Sequence, residues 1–146
     1  MHFILRTSVA QPPETVFPVF GDAAFVESLA PKLMGLRVER IGLALGDEIE
    51  VRFTGLGPRG PWVSRIVERE REQGSIWFTD HSIELPKPFS AFRHHHGFEA
   101  TDGGTTLVDD VTFSVNPKLL SPFIYPVLRL SFAGRRRVYR RRFGTG

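Results

Sequence analysis

At 146 residues, with 41% apolar and 24% charged residues, the chain suits one compact domain over 1–146 with room for a real core. The absence of cysteine excludes disulfides, thiolate metal sites and cysteine nucleophiles. No apolar run nears the roughly 20 residues of a spanning helix and the N-terminus lacks a signal-peptide layout, so the chain reads as soluble and cytoplasmic. The net charge of +3 hides an asymmetry: Lys118 and seven arginines follow Asp110 with no acid, so that segment carries +8 and the remainder −5.

Residues 2–10 alternate as a first strand, with Phe3, Leu5 and Val9 along it, and Pro12-Pro13 stops it. Pro13 in a first helical position, Glu14 in the first turn and the apolar Val16, Phe17 and Phe20 predict a short helix that Pro18 keeps short or bent. Asp22 caps a second short helix over 23–29, which Pro31 ends. From Leu36 the apolar period becomes two. Six strands are predicted, at 36–41, 47–54, 62–71, 75–85, 91–100 and 105–115, parted by Gly-, Pro- and Asp-rich turns. Connections this short favour an antiparallel meander. In the second of these strands Ile49, Val51 and Phe53 point one way and Glu48, Glu50 and Arg52 the other, so one face of the sheet is wet.

Pro117 closes the last strand, and Ser121-Pro122 opens a helix toward Phe143. At about 1.5 Å per residue it would exceed roughly 30 Å, enough to cross a small sheet. Its inward stripe is read as Leu120, Phe123, Ile124, Val127, Gly134 and Val138, flanked by Leu128 and Leu130; Pro126 kinks it or marks its true start, and Gly134 is a bending or close-packing point. The fold class is therefore α+β: a curved antiparallel sheet of about seven strands around a long C-terminal helix, with two short helices after the first strand. A sheet curling around a rod leaves a cavity wherever the two do not touch.

The hairpin from Phe92 to Phe113 holds the polar chemistry. Strand side chains alternate, so Phe92, His94, His96 and Phe98 share the inner face and His95 points away, which prevents three adjacent histidines from forming one metal site. A two-residue Asp102-Gly103 turn would pair Phe98 with Leu107, His96 with Asp109, His94 with Val111 and Phe92 with Phe113. A three-residue turn would break this match of apolar to apolar and histidine to acid. The pair His96 and Asp109 is then a candidate acid/base pair or a satisfied polar contact across a sheet. Asp80, on the same face as Phe78, would join His94, His96 and Asp109 in one cluster. No recognised metal-ligand spacing is present, and no metal or cofactor is expected. His81 and His95 are expected to face outward. Trp62, Phe78, Phe92, Phe98 and Phe113 either stack on a flat apolar ligand or pack as core. The glycine-rich loop 55–61 lacks the Lys-Ser/Thr ending and the helix of a phosphate loop.

The element order, with Pro13-Glu14-Thr15-Val16-Phe17, Pro31, Trp62 with Ser64 and Ile66, Phe78-Thr79-Asp80, Pro88-Phe89, Phe92-x-His94-x-His96-x-Phe98, Gly103-Gly104-Thr105, Asp109-x-Val111-x-Phe113 and Tyr139-Arg140, resembles the START-like SRPBCC superfamily, the helix-grip fold, in its bacterial cyclase/dehydrase-like branch. The sequence departs from that pattern at Leu85-Pro86-Lys87-Pro88-Phe89, Phe92 and Phe113, where the family more often has Gly-Pro-aromatic, Trp and Tyr. The resemblance implies a small, largely hydrophobic ligand held between sheet and C-terminal helix, bordered by Trp62, Phe78, Asp80, Phe92, His94, His96, Phe98, Asp109, Val111, Phe113 and Val127. Its enzymic alternative is a polyketide cyclase or dehydratase using His96 and Asp109. A third expectation is an anionic contact through Arg135, Arg136, Arg137, Arg140, Arg141 and Arg142. Nucleic acid is disfavoured as that partner, because Tyr139 alone interrupts these arginines, whereas single-strand readers usually supply several stacking platforms.

Overall fold

A computed structural model describes residues 1–146. Seven strands form one antiparallel sheet: β1 (His2–Val9), β2 (Leu36–Arg40), β3 (Glu48–Phe53), β4 (Trp62–Glu72), β5 (Ser75–Glu84), β6 (Phe89–Thr101) and β7 (Gly104–Val115). Their spatial order is β1-β7-β6-β5-β4-β3-β2, so a meander from β2 to β7 is closed at its far side by the N-terminal strand. Between β1 and β2 lie α1 (Pro13–Val16), a tight 3-10 turn over Phe17–Gly21, and α2 (Ala23–Glu27). The Asp22 carboxylate accepts the Ala24 N–H at 2.9 Å, the cap its position predicted.

The chain departs from its sequence pattern in three places. A further 3-10 turn, Lys32–Met34, follows Pro31 and closes on Gly35 at φ +63°. A Cβ at Gly35 would collide with the Thr54 hydroxyl, so this close approach suits glycine alone. The C-terminal helix comes in two segments, α3 (Ser121–Ala133) and α4 (Arg135–Phe143), abutting at Gly134. Gly134 keeps right-handed helical angles and its N–H still reaches the Leu130 carbonyl at 3.0 Å, so the rod continues through a weak point. The inward stripe of α3 is Ile124, Leu128 and Phe132, helped by Leu120 and Tyr125, whereas Phe123, Val127 and Leu130 are exposed. Residues 124, 128 and 132 recur every four positions and share a face; the face carrying 123, 127 and 130 lies beside it.

Two apolar clusters fill the concave side. One, under α1, α2 and α4, gathers Phe17, Phe20, Phe25, Ile66, Phe78, Phe98, Tyr139 and Phe143 among others. The other, under α3, joins Phe3, Phe92, Val111, Phe113, Val115 and Phe132. No helix is long and apolar enough to cross a membrane. Within the first cluster, Phe98 meets Phe20 edge-on at 4.9 Å and Phe17 at 5.4 Å between ring centroids, joining the early helices to the β6–β7 hairpin. Phe98→Ala is expected to cost about 3–5 kcal/mol, read as a lowered urea midpoint at unchanged slope.

Candidate functional site

The β6–β7 register follows the two-residue turn: Phe98 faces Leu107, His96 faces Asp109, His94 faces Val111 and Phe92 faces Phe113, with Thr101 opposite Gly104. Gly104 sits at φ +145°, and a Cβ there would run into the carbonyl of Val9 on the neighbouring strand. On the other side of β6, Asp80 faces His94 and Phe78 faces His96. His94, His96, Asp80 and Asp109 thus meet on the inner face. His81 is exposed, and His95 bonds Thr79 Oγ1 through Nδ1 at 2.8 Å on the opposite face.

The hydrogen bonds do not follow the register. His96 stands opposite Asp109 yet its Nε2 bonds Asp80 Oδ2 at 2.8 Å, and His94 stands opposite Asp80 yet its Nε2 bonds Asp109 Oδ1 at 2.9 Å. The expected His96–Asp109 pair is therefore replaced by two crossed diagonal pairs. The imidazoles lie one over the other, 3.5 Å between centroids and 30° apart in plane, so each ring reaches past the other to a diagonal carboxylate. Phe78 stacks on His96 at 4.2 Å and Phe132 meets His94 edge-on at 5.1 Å, which fixes both rings.

Asp109 takes two further donors from α4. Tyr139 donates its hydroxyl to Oδ2 at 3.0 Å and Arg135 donates Nη1–H to Oδ1 at 3.2 Å. Four positions apart, these residues share one helix face. The sequence reading grouped Arg135 with the surface arginines; it lies inside instead, its side chain 18% exposed and its guanidinium 3.9 Å over the Phe132 ring. The legible signal was a single tyrosine, next to the inward Val138, in a run of arginines that no surface helix requires.

Burial pushes the His94 imidazole down, His96 pushes it further, and Asp109 only partly opposes them, leaving a pKa of about 4. At neutral pH this ring is uncharged and donates Nε2–H to Asp109. Burial alone would raise the Asp109 carboxyl, but the His94 hydrogen bond and the Arg135 charge hold it well below the usual carboxylate range. Asp80 likewise lies below its ordinary value, because the bond from His96 and nearby imidazole charge outweigh burial. Burial and the Asp109 charge push the Tyr139 phenol up, so it remains a donor. His96 Nδ1 is buried with no partner.

The donor atoms of Asp80, His94 and His96 lie within 4.8 Å of one another. Each Nε2 serves a hydrogen bond to a different carboxylate. In this structure the four side chains form a hydrogen-bonded belt.

A cavity of about 720 Å³ opens beside this belt, between β3–β6, the turns 32–34 and 54–58, and α3. Of the residues the sequence brought forward, Trp62, Asp80, Phe92, His94 and Val127 border it. Phe78 and Phe98 are buried against Phe17, Val111 and Phe113 pack beneath α3, and His96 and Asp109 stand behind Asp80 and His94 as their hydrogen-bond partners. Sequence reasoning did not find the wall made by Met34, Leu56, Phe89, Leu128 and Arg135. Ile49 and Val51 also line it, and their inward alternation was the available signal.

A family model described as polyketide cyclase / dehydrase and lipid transport matches residues 2–143. No curated protein matches the chain. Among similar solved structures, the di-domain ARO/CYC StfQ from the steffimycin biosynthetic pathway is 18% identical with a TM-score of 0.69, over 94% of this chain and 48% of that one. Protein Ms6760 from Mycobacterium smegmatis is 16% identical with a TM-score of 0.67, over 94% and 87%. Norcoclaurine synthase from Thalictrum flavum, in complex with dopamine and hydroxybenzaldehyde, is 13% identical with a TM-score of 0.61, over 94% and 84%. At these identities the likeness is one of fold.

The low His94 value sets a pH dependence. Between pH 6.5 and about 4 the unfolded chain takes up a proton that the native imidazole refuses, so stability falls as pH falls through that window. The loss from this group is expected to be about 3 kcal/mol at most. Below that window the depressed Asp109 acts with the same sign, its contribution vanishing as the carboxylate protonates. Urea midpoints measured from pH 7.5 downward should show this slope, and His94→Gln should remove most of it between pH 6.5 and 4.

Proposed function

This chain belongs to the polyketide cyclase / dehydrase and lipid transport family, and we propose that residues 1–146 act as one cytoplasmic domain that binds a small, largely hydrophobic molecule between the sheet and the C-terminal helix. The cavity carries this reading. Its volume of about 720 Å³ falls within the roughly 300–1,000 Å³ usual for small-molecule sites, and its walls are mostly apolar with polar groups gathered at the belt. Trp62, Phe92 and Val127 border the space for the apolar body of the ligand, while Asp80, His94 and Arg135 meet its polar end. A carboxylate that accepts and a guanidinium that donates suit a group that does both, such as a phenol or an enolisable carbonyl. The reading invokes no cofactor and no metal.

One observation favours an enzymic variant of this reading. Asp80 and His94 both border the cavity, and at neutral pH one is an anion and the other a neutral imidazole. A carboxylate held below its ordinary value is a weak base, so it would take a proton from a carbon acidified by two flanking carbonyls while Arg135 steadies the resulting enolate oxygen, the kind of step a cyclase or dehydratase needs. His96 and Asp109, the acid/base candidates of the sequence, would then be positioning residues acting through Asp80 and His94.

Val51→Trp would fill the cavity from β3. It is expected to weaken binding of an apolar fluorophore such as anilinonaphthalene sulfonate by about tenfold or more, with the far-UV circular dichroism unchanged. Undiminished affinity would contradict ligand binding at this site. In an assay of aromatising cyclisation on a poly-β-ketone, Asp80→Asn should retain fluorophore binding and lose turnover; turnover equal to that of the parent would rule out Asp80 as the base.

A further inference from the structure

The five large apolar side chains most open to solvent are Leu33 (75%), Leu56 and Phe123 (71% each), and Leu119 and Leu130 (70% each). They are not scattered. Leu33, Leu56, Phe123 and the exposed Val127 all line the cavity at its open side, and the Leu56 N–H bonds the Leu33 carbonyl at 2.8 Å, joining the two turns. Phe123, Val127 and Leu130 follow one another at helical spacing on α3, with Leu119 in the turn that leads into it. Of the other exposed apolar residues, Ile4, Val67 and Ile83 are less exposed and lie on the strands, and Leu45 (65%) sits alone in the loop between β2 and β3 and does not line the cavity.

The charged residues next to these side chains in sequence are cations. Lys32 precedes Leu33, Arg59 follows Leu56 in the same loop, Lys118 precedes Leu119 and Arg129 precedes Leu130; all four are exposed and none forms an ion pair. Residues 28–38, 54–64 and 111–146 contain no acid. The helix runs on into Arg136, Arg137, Arg140, Arg141 and Arg142, all exposed and likewise outside any ion pair.

We propose that the cavity mouth docks on an anionic lipid bilayer, with Leu33, Leu56, Leu119, Phe123, Val127 and Leu130 entering the headgroup boundary and the flanking cations meeting lipid phosphates. An apolar rim interleaved with unpaired cations is what an interfacial contact requires. A second copy of the chain fits poorly, since the cations of these acid-free segments would face one another and repel. Single-stranded nucleic acid fits poorly too, because five of these six side chains are aliphatic and offer no stacking platform. The contact gives an apolar ligand a route between bilayer and cavity without crossing water. In that purpose the inference rests on the ligand-binding reading, although the contact itself needs no ligand.

The test is sedimentation of the full chain with vesicles of phosphatidylcholine alone, or of phosphatidylcholine with phosphatidylglycerol. The parent should sediment with the anionic vesicles only. Leu119 and Leu130 lie outside the cavity lining, so the double variant L119Q/L130Q should keep its melting temperature and fluorophore affinity while its partition falls about tenfold or more. K118E/R129E should lose at least about tenfold through charge alone. The proposal is overturned if the parent stays in the supernatant, if L119Q/L130Q sediments like the parent, or if single-stranded RNA competes for the same contact. It is equally overturned if the parent is a dimer that L119Q/L130Q dissociates. Failure of the parent to bind the fluorophore in vesicle-free solution would instead count against the ligand-binding reading and leave the bilayer contact standing.

Discussion

Asp109 is a buried carboxylate on the sheet's inner face, and the fold is arranged to satisfy it. A buried anion without donors costs several kcal/mol, so its two oxygens must be met from whatever lies above the sheet. His94 supplies one donor from the neighbouring strand, and Arg135 and Tyr139 supply two from successive turns of α4. That requirement fixes the rotation and height of the helix as apolar packing alone would not, since hydrophobic contact has no direction. Tyr139 also belongs to the larger apolar cluster, so one residue both fills the core and completes the hydrogen bonding.

With α4 tied down, α3 extends from Gly134 over the second cluster, and the space it leaves above β3 and β4 becomes the cavity. The belt therefore separates two solid apolar regions and forms the polar wall of the hollow one. Its crossed histidines give that wall a specific character. Asp80 and His94 are presented to the cavity, while His96 and Asp109 are held behind as partners, one imidazole and one carboxylate on each side of the wall. A ligand would meet a carboxylate and an uncharged ring whose orientations are set before it arrives, which lowers the ordering cost of binding.

Much of this was legible in the sequence. Alternation gave the strands, the Asp102-Gly103 turn fixed the β6–β7 register, and placing Asp80 beside the histidines gathered the right four residues on one face. The pairing within that group was not legible, because register sets which Cα atoms face each other whereas ring stacking and rotamers decide which diagonal a side chain takes. Arg135 was hidden by its company of surface arginines, and only the turn of α4 onto the sheet separates it from Arg136 and Arg137. Part of the cavity wall was hidden for another reason: Met34 and Leu56 lie in irregular turns, where no periodicity announces which way a side chain points.

Asp109 ties the C-terminal helix to the sheet, and a double-mutant cycle on Asp109 and Arg135 measures the strength of that tie. Unfolding free energies of the parent, Asp109→Asn, Arg135→Gln and the double variant should give a coupling of about 2 kcal/mol or more, since each single change strands a buried group that the other had satisfied. Single effects that simply add, within about 0.5 kcal/mol, would mean that the two groups do not hold helix and sheet together.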